Sequence, residues 1–224
     1  MKHCRFIAVA LLGLIAAAPA AVKVTVDHNT GDQATAQFKF KRVPSPVKEN
    51  AAAQAKVKLV VGNAAANSRL KALTDGVLPE EEDQPAANFF FQDGSDGGRF
   101  LLDLGSAMEL AEVNSYSWHS DTRAPQVYNL FASDGTDPRF NSEPDANTDP
   151  ATCGWKLIAI VDTRPRQGDS GGQYGVSITD SSGSLGKFRY LLFDSIPSED
   201  DDPWGNTFFS EINVRAKTQG TRNR

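Results

Sequence analysis

Few residues in this chain are well placed to do chemistry. Trp118-His119-Ser120-Asp121-Thr122-Arg123 puts an indole, an imidazole and a guanidinium within six positions, and Pro203-Trp204-Gly205-Asn206 adds a second indole and an amide among turn-forming residues. Recognition of a hydroxylated ring needs a flat apolar face and a few fixed donors and acceptors. His119, Arg123, Trp204 and Asn206 are therefore the candidate ligand-binding set. Trp118 ends a period-two apolar run and reads as core. Trp204, among Asp, Pro, Gly and Asn, is the better stacking platform. A different chemistry is written in Gly168-Asp169-Ser170-Gly171-Gly172, a serine framed by glycines, with His28 and Asp75 upstream in the order base, orienting acid, nucleophile.

The elements that must position these groups are strands. From Val22 onward no stretch keeps a helical period. Runs of five to eight residues rich in Val, Ile, Phe, Tyr and Leu alternate instead with clusters of Gly, Pro, Asp and Ser. The pattern predicts strands near 22–26, 35–43, 56–61, 99–104, 112–118, 126–132, 155–162, 173–179, 188–193 and 208–215. Ten short strands at this density imply an all-β, antiparallel β-sandwich. Pro44-Ser45-Pro46 cannot feed a central strand, so 22–47 reads as an N-terminal β extension, with Ala36, Phe38 and Phe40 on one face of an added hairpin. The sandwich domain then covers 48–216, and 217–224 form a polar tail.

Residues 1–21 read as an export leader: Lys2 and Arg5 precede an apolar run from Phe6 to Ala18, and Ala18-Pro19-Ala20 supplies a small-residue cleavage site. The run is too short to span a bilayer, so the expected product is exported, periplasmic or extracellular, without a transmembrane segment. Loss of Lys2 and Arg5 moves the formal charge from -5 to -7 (-5 minus 2). An acidic chain of this kind is poorly suited to nucleic acid or to an anionic membrane. Cleavage also leaves Cys153 as the single cysteine, so no internal disulfide can form and the domain must be held by its core or by a bound metal.

Two family resemblances follow from particular residues. Leu102-Asp103-Leu104-Gly105, Val113-Asn114-Ser115-Tyr116-Ser117-Trp118-His119, Arg123-Ala124-Pro125-Gln126-Val127-Tyr128, Ala132-Ser133-Asp134-Gly135, Gly154-Trp155-Lys156 and Ser210-Glu211-Ile212 occur in an order that resembles the discoidin family, the coagulation-factor 5/8 type C, galactose-binding-like jelly roll. That resemblance implies a noncatalytic binding module for carbohydrate or a cell-surface glycan, in which a His and an Arg from such loops hold sugar hydroxyls, here His119 and Arg123. It also implies a structural calcium, with Asp75 of the Asp75-Gly76 turn and Glu211 of the last strand as ligands, a type of oxygen donor that suits this ion. An envelope protein bound through the same loops is the alternative partner. The second resemblance, of the serine pentapeptide with His28, Asp75 and Ser170, is to chymotrypsin-like proteases. Against it, His28 falls only about seven residues after the leader, and Gln173-Tyr174 follow the pentapeptide where that family has Pro. A glycosidase would need two juxtaposed carboxylates, and 28 acidic residues nominate too many pairs to choose among.

Overall fold

The computed structural model describes residues 21–199 and 204–218. All of the expected leader except Ala21 lies outside the described residues. The described residues form eight strands: β1 Val22–Asn29, β2 Lys56–Val61, β3 Gly98–His119, β4 Val127–Ser133, β5 Lys156–Asp162, β6 Gly172–Asp180, β7 Gly186–Ser195 and β8 Phe209–Ala216. Every pairing is antiparallel, and among the described residues the only helical segments are single 3-10 turns. The all-β fold class expected from the period-two runs is the observed one.

The ten expected strands need two corrections. The runs at 99–104 and 112–118 are halves of one 22-residue strand, β3. Its first half pairs with β2 and β7, and its second half with β6 and β8. Between them the register against β7 shifts from Asp103 to Met108. Gly105 sits there at φ 84°, a conformation that suits glycine, and its N–H donates to Asp103 Oδ1 at 2.9 Å. Arg189 grips the same carboxylate at 2.7 and 2.8 Å. Strand β3 thus passes from one layer, β2-β3-β7-β4-β5, into the other, β1-β6-β3-β8. Phe100, Leu102, Tyr128 and Phe193 of the first layer pack against Val113, Val176, Ile178 and Ile212 of the second in one core cluster. Burial of each such side chain is worth about 1.5–3 kcal/mol, so this contact holds the layers together.

The second correction is the hairpin expected over 22–43. Residues 35–43 form turns and irregular chain, and β1 pairs instead with β6 as an edge strand. The segment after β1 runs back over the outer face of β3. Phe38 and Val43 are buried there against Tyr116 and Trp118, with Phe40 packed beside them. Asp27 latches this strap: its carboxylate accepts the N–H groups of Arg42 at 2.5 Å and Val43 at 2.8 Å and the Arg42 side chain at 2.8 Å. The second half of β3 is therefore buried on both faces although its sequence alternates.

Candidate functional site

The bend in β3 has a direct consequence for the site. The chain leading into β3, the turn leaving it and the loop entering β8 all meet at one end of the sandwich. Phe208 N–H donates to the Arg123 carbonyl at 3.0 Å, Phe89 and Phe209 exchange backbone bonds at 2.8 and 2.9 Å, and Asn206 Nδ2 donates to the Gln92 carbonyl at 3.2 Å. These bonds enclose a hollow of about 540 Å³ lined by Asn67, Asp83, Phe90, Gln92, Arg123 and Trp204, among others.

The four nominated residues come together here, but in two different roles. Trp204 is 55 % exposed at the rim. Arg123 lies on the wall with its guanidinium carbon 4.8 Å from the Phe90 ring and 4.1 Å from the Phe208 ring, and its Nε donates to the Asn206 carbonyl at 3.3 Å. Phe90 and Phe208 are themselves stacked at 3.9 Å. Cation–π contact of this kind fixes the position of a guanidinium. His119 and Asn206 stand behind the wall. Asn206, expected to contact a ligand, is 2 % exposed and its amide N–H donates to the Gln92 carbonyl, which places it behind the wall. His119 is 5 % exposed, packs edge-on to Phe208 at 4.5 Å and lies between two carboxylates, with Nδ1 2.8 Å from Asp121 and Nε2 3.4 Å from Asp83. Burial is the largest influence on this imidazole and lowers its pKa, while the two carboxylates pull the other way. Expected to contact a ligand directly, it borders the hollow through Asp83, which lines it.

Sequence reasoning missed Phe90, Phe208, Gln92 and Asp83. Phe89-Phe90-Phe91 running into Gln92-Asp93-Gly94 was the available signal: an apolar triplet beside a turn at a sheet end. In sequence Asp83 belongs to Glu80-Glu81-Glu82-Asp83, an acidic run that reads as a solvated loop, yet it adopts φ 50°, a backbone position uncommon outside glycine.

Asp75 and Glu211 also approach each other. Gly76 N–H donates to Glu211 Oε2 at 3.1 Å, and Asn213 Nδ2 donates to Oε1 at 3.2 Å. Glu211 is fully buried, and its pKa is pushed up to about 8. Burial is the main cause and the Asp75 charge adds to it, against the Gly76 N–H and Lys71. Asp75 bonds to Val77 N–H at 3.0 Å and to Arg69 at 2.6 Å. The adjacent Thr74 Oγ1 is buried with no hydrogen-bond partner. Two carboxylates and an unpartnered hydroxyl are hard oxygen donors of the kind calcium takes, so the residues fit that ion in type. Among the described residues no group of three Asp, Glu, His or Cys side chains is arranged to hold a metal ion, and main-chain carbonyls would have to complete the shell.

The serine pentapeptide has a structural explanation. A side chain at Gly171 would strike the Ser120 carbonyl, and one at Gly172 the Asn29 carbonyl, so the two glycines let this loop press against its neighbours. His28 stacks on Tyr174 at 4.2 Å, and its Nε2 bonds to the Gly171 carbonyl at 2.8 Å. Asp75 is held by Arg69. No hydrogen bond joins His28 to Asp75 or to Ser170 among the described residues, whereas a nucleophilic relay depends on that continuity.

No protein-family model matches the sequence, and neither does any curated protein. Solved structures similar in chain path include chitosan-binding module 1 of a chitosanase/glucanase from Paenibacillus sp. IK-5, at 15% identity over 75% of this chain and 99% of that one with TM-score 0.45. The lectin domain of lectinolysin complexed with Lewis B antigen is similar at 11% identity over 76% and 98% with TM-score 0.48. CBM32-1 from a family 31 glycoside hydrolase from Clostridium perfringens is similar at 12% identity over 75% and 98% with TM-score 0.46.

Proposed function

We propose that this chain is a noncatalytic binding module for carbohydrate and that the hollow beside Trp204 is its site. One observation carries the reading: an indole left 55 % exposed at the rim of a hollow whose wall holds a guanidinium and two kinds of hydroxyl-binding group, carboxylate and amide. The indole offers a stacking face. Arg123, Asp83 and Gln92 supply donors and acceptors around it, and Phe90 and Phe208 keep Arg123 from collapsing across the opening. His119 and Asn206 are positioning residues that hold Asp83 and the Trp204 loop. A shallow site of this kind supports weak affinity for a single exposed sugar. The test is retention on a glycan array. Wild-type protein should be retained, Trp204→Ala should abolish retention, and Asn206→Ala should weaken it through loss of loop order. Equal retention of wild type and Trp204→Ala places the site elsewhere.

The same proposal includes a structural calcium at Asp75 and Glu211 and export of the mature chain. The ion would neutralise the buried Glu211 carboxylate and cross-link the chain after the Leu70–Leu73 turn to β8. Binding to the folded state alone raises stability with ion concentration, so calcium should raise the melting temperature and a chelator should reverse the rise. Sequencing the N-terminus of secreted material tests cleavage after residue 21.

A further inference from the structure

The serine pentapeptide plays no part in the first hollow, yet it borders a second one at the same end. This hollow, about 490 Å³, is lined by Thr122, Pro125, Arg164, Ser170, Ser198 and Glu199, among others. Resting on the carbohydrate reading above, we propose that it is a second subsite, so that the module recognises an oligosaccharide laid across two hollows rather than a terminal sugar alone.

Three observations carry this. First, the hollows share one ridge. Thr122 and Pro125 line the second while Arg123, between them in sequence, lines the first. Ser198 lines the second, its Oγ donating to the Thr122 carbonyl at 2.5 Å and its N–H to the Gly205 carbonyl at 2.5 Å, immediately after Trp204. A sugar stacked on Trp204 therefore has the second hollow as its neighbour across a ridge that both sides brace.

Second, the far wall is built rather than loose. Gln126 N–H donates to Thr163 Oγ1 at 2.7 Å and Thr163 N–H returns a bond to the Gln126 carbonyl at 3.0 Å. Gly171 N–H closes a turn onto Asp169 at 2.9 Å, and Gly171 and Gly172 press against Ser120 and Asn29. Asp162 aligns Arg164 through bonds of 3.0 and 2.7 Å. The glycines that imitate a protease loop are thus the ones that seat Ser170 on the wall of the hollow.

Third, the chemistry of the two hollows is complementary. Among the described residues the second has no aromatic wall. Its described lining includes the Thr122 and Ser170 hydroxyls, the Arg164 guanidinium that Asp162 pairs and the Glu199 carboxylate, a polar set that suits a ring rich in hydroxyls. Hydrogen bonds alone to such a ring compete poorly with water, so the second hollow works only when the first sugar tethers the next unit beside it and raises its effective concentration. The chemical class is an oligosaccharide of two or more units.

The test is an array carrying matched series, from single sugars to tetrasaccharides, terminated in galactose, glucose, N-acetylglucosamine, mannose or fucose. In the series that binds, wild type should prefer the tetrasaccharide over the single sugar by about tenfold or more. Ser170→Ala and Arg164→Ala should each remove most of that preference while leaving retention on the single sugar unchanged. Unchanged melting temperatures establish that both variants are folded, and Ser170→Ala, on an accessible loop, serves if Arg164→Ala is not. Equal binding of long and short glycans by wild type, or loss of both together in the variants, overturns the second subsite alone. No retention of wild type on any series overturns the carbohydrate reading and the subsite with it.

Discussion

Two tryptophans at the same end of this molecule have opposite fates. Trp118, one residue before the end of β3, is buried under the strap with Phe38, Val43 and Tyr116. Trp204, in the loop before β8, stands exposed beside the hollow. Phe38 contacts Trp118 edge-on at 5.6 Å and Tyr116 at 6.2 Å, so the strap face is built by packing. The loop end is built by backbone hydrogen bonds and the two cation–π contacts of Arg123, with polar side chains left facing the opening. The difference separates a strap face that carries stability from a loop end that, in the function proposed above, carries recognition.

The most forceful way to break that division is Phe38→Ala. A fully buried phenylalanine typically costs about 3–5 kcal/mol when truncated, so the variant should show a large fall in urea midpoint while its folded fraction keeps wild-type glycan retention. Retention lost in molecules that remain folded would join the strap to the site. Trp204→Ala should do the reverse. Its urea midpoint should move by no more than about 0.5 kcal/mol equivalent, as for surface substitutions, while affinity falls at least about tenfold, or 1.4 kcal/mol. A large loss of stability would show that the exposed indole supports the fold.

Acid–base behaviour sharpens the same contrast at smaller scale. Glu211 has its folded pKa raised from the ordinary 4.5 to about 8, so the folded state holds a proton that the unfolded chain has already lost. Stability should fall as pH rises from about 4.5 through about 8, by at most about 1.4 kcal/mol per pH unit. Thermal melts across that range should show the slope, Glu211→Gln should flatten it, and calcium should restore stability at the alkaline end by replacing the proton. A slope unaffected by Glu211→Gln would remove this carboxylate from the account. His119 works in the other direction and with the smallest expected effect, since its two carboxylate neighbours offset burial. Its folded pKa is lowered from 6.5, so its contribution is present above about pH 6.5 and is lost as pH falls towards the folded value. His119→Gln should reduce that acid-side loss, and an unchanged melt below pH 6.5 would count against it.

The amino-acid sequence by itself determined the strands, because a half-buried strand writes its period of two directly into the chain. β2 and β4 to β8 lie where the alternation placed them. It also nominated Arg123 and Trp204, since an indole among turn residues and a guanidinium after a strand are unusual enough to notice. Only the tertiary structure decided that 99–104 and 112–118 are one strand bent at Gly105, because the joining residues are partly exposed and their pairing partners lie far away in sequence. It alone decided that Phe38 covers Trp118, a contact between residues 80 positions apart (118 minus 38) that no local pattern encodes. Asp83 and Asn206 show the same limit inside the site: one looked like a solvated charge and lines the hollow, the other looked like a ligand and is buried behind it. Local sequence reports which side chains suit a sheet or a turn. Which of them share a wall depends on the fold of β3, and that is set by the packing of two layers across a common core.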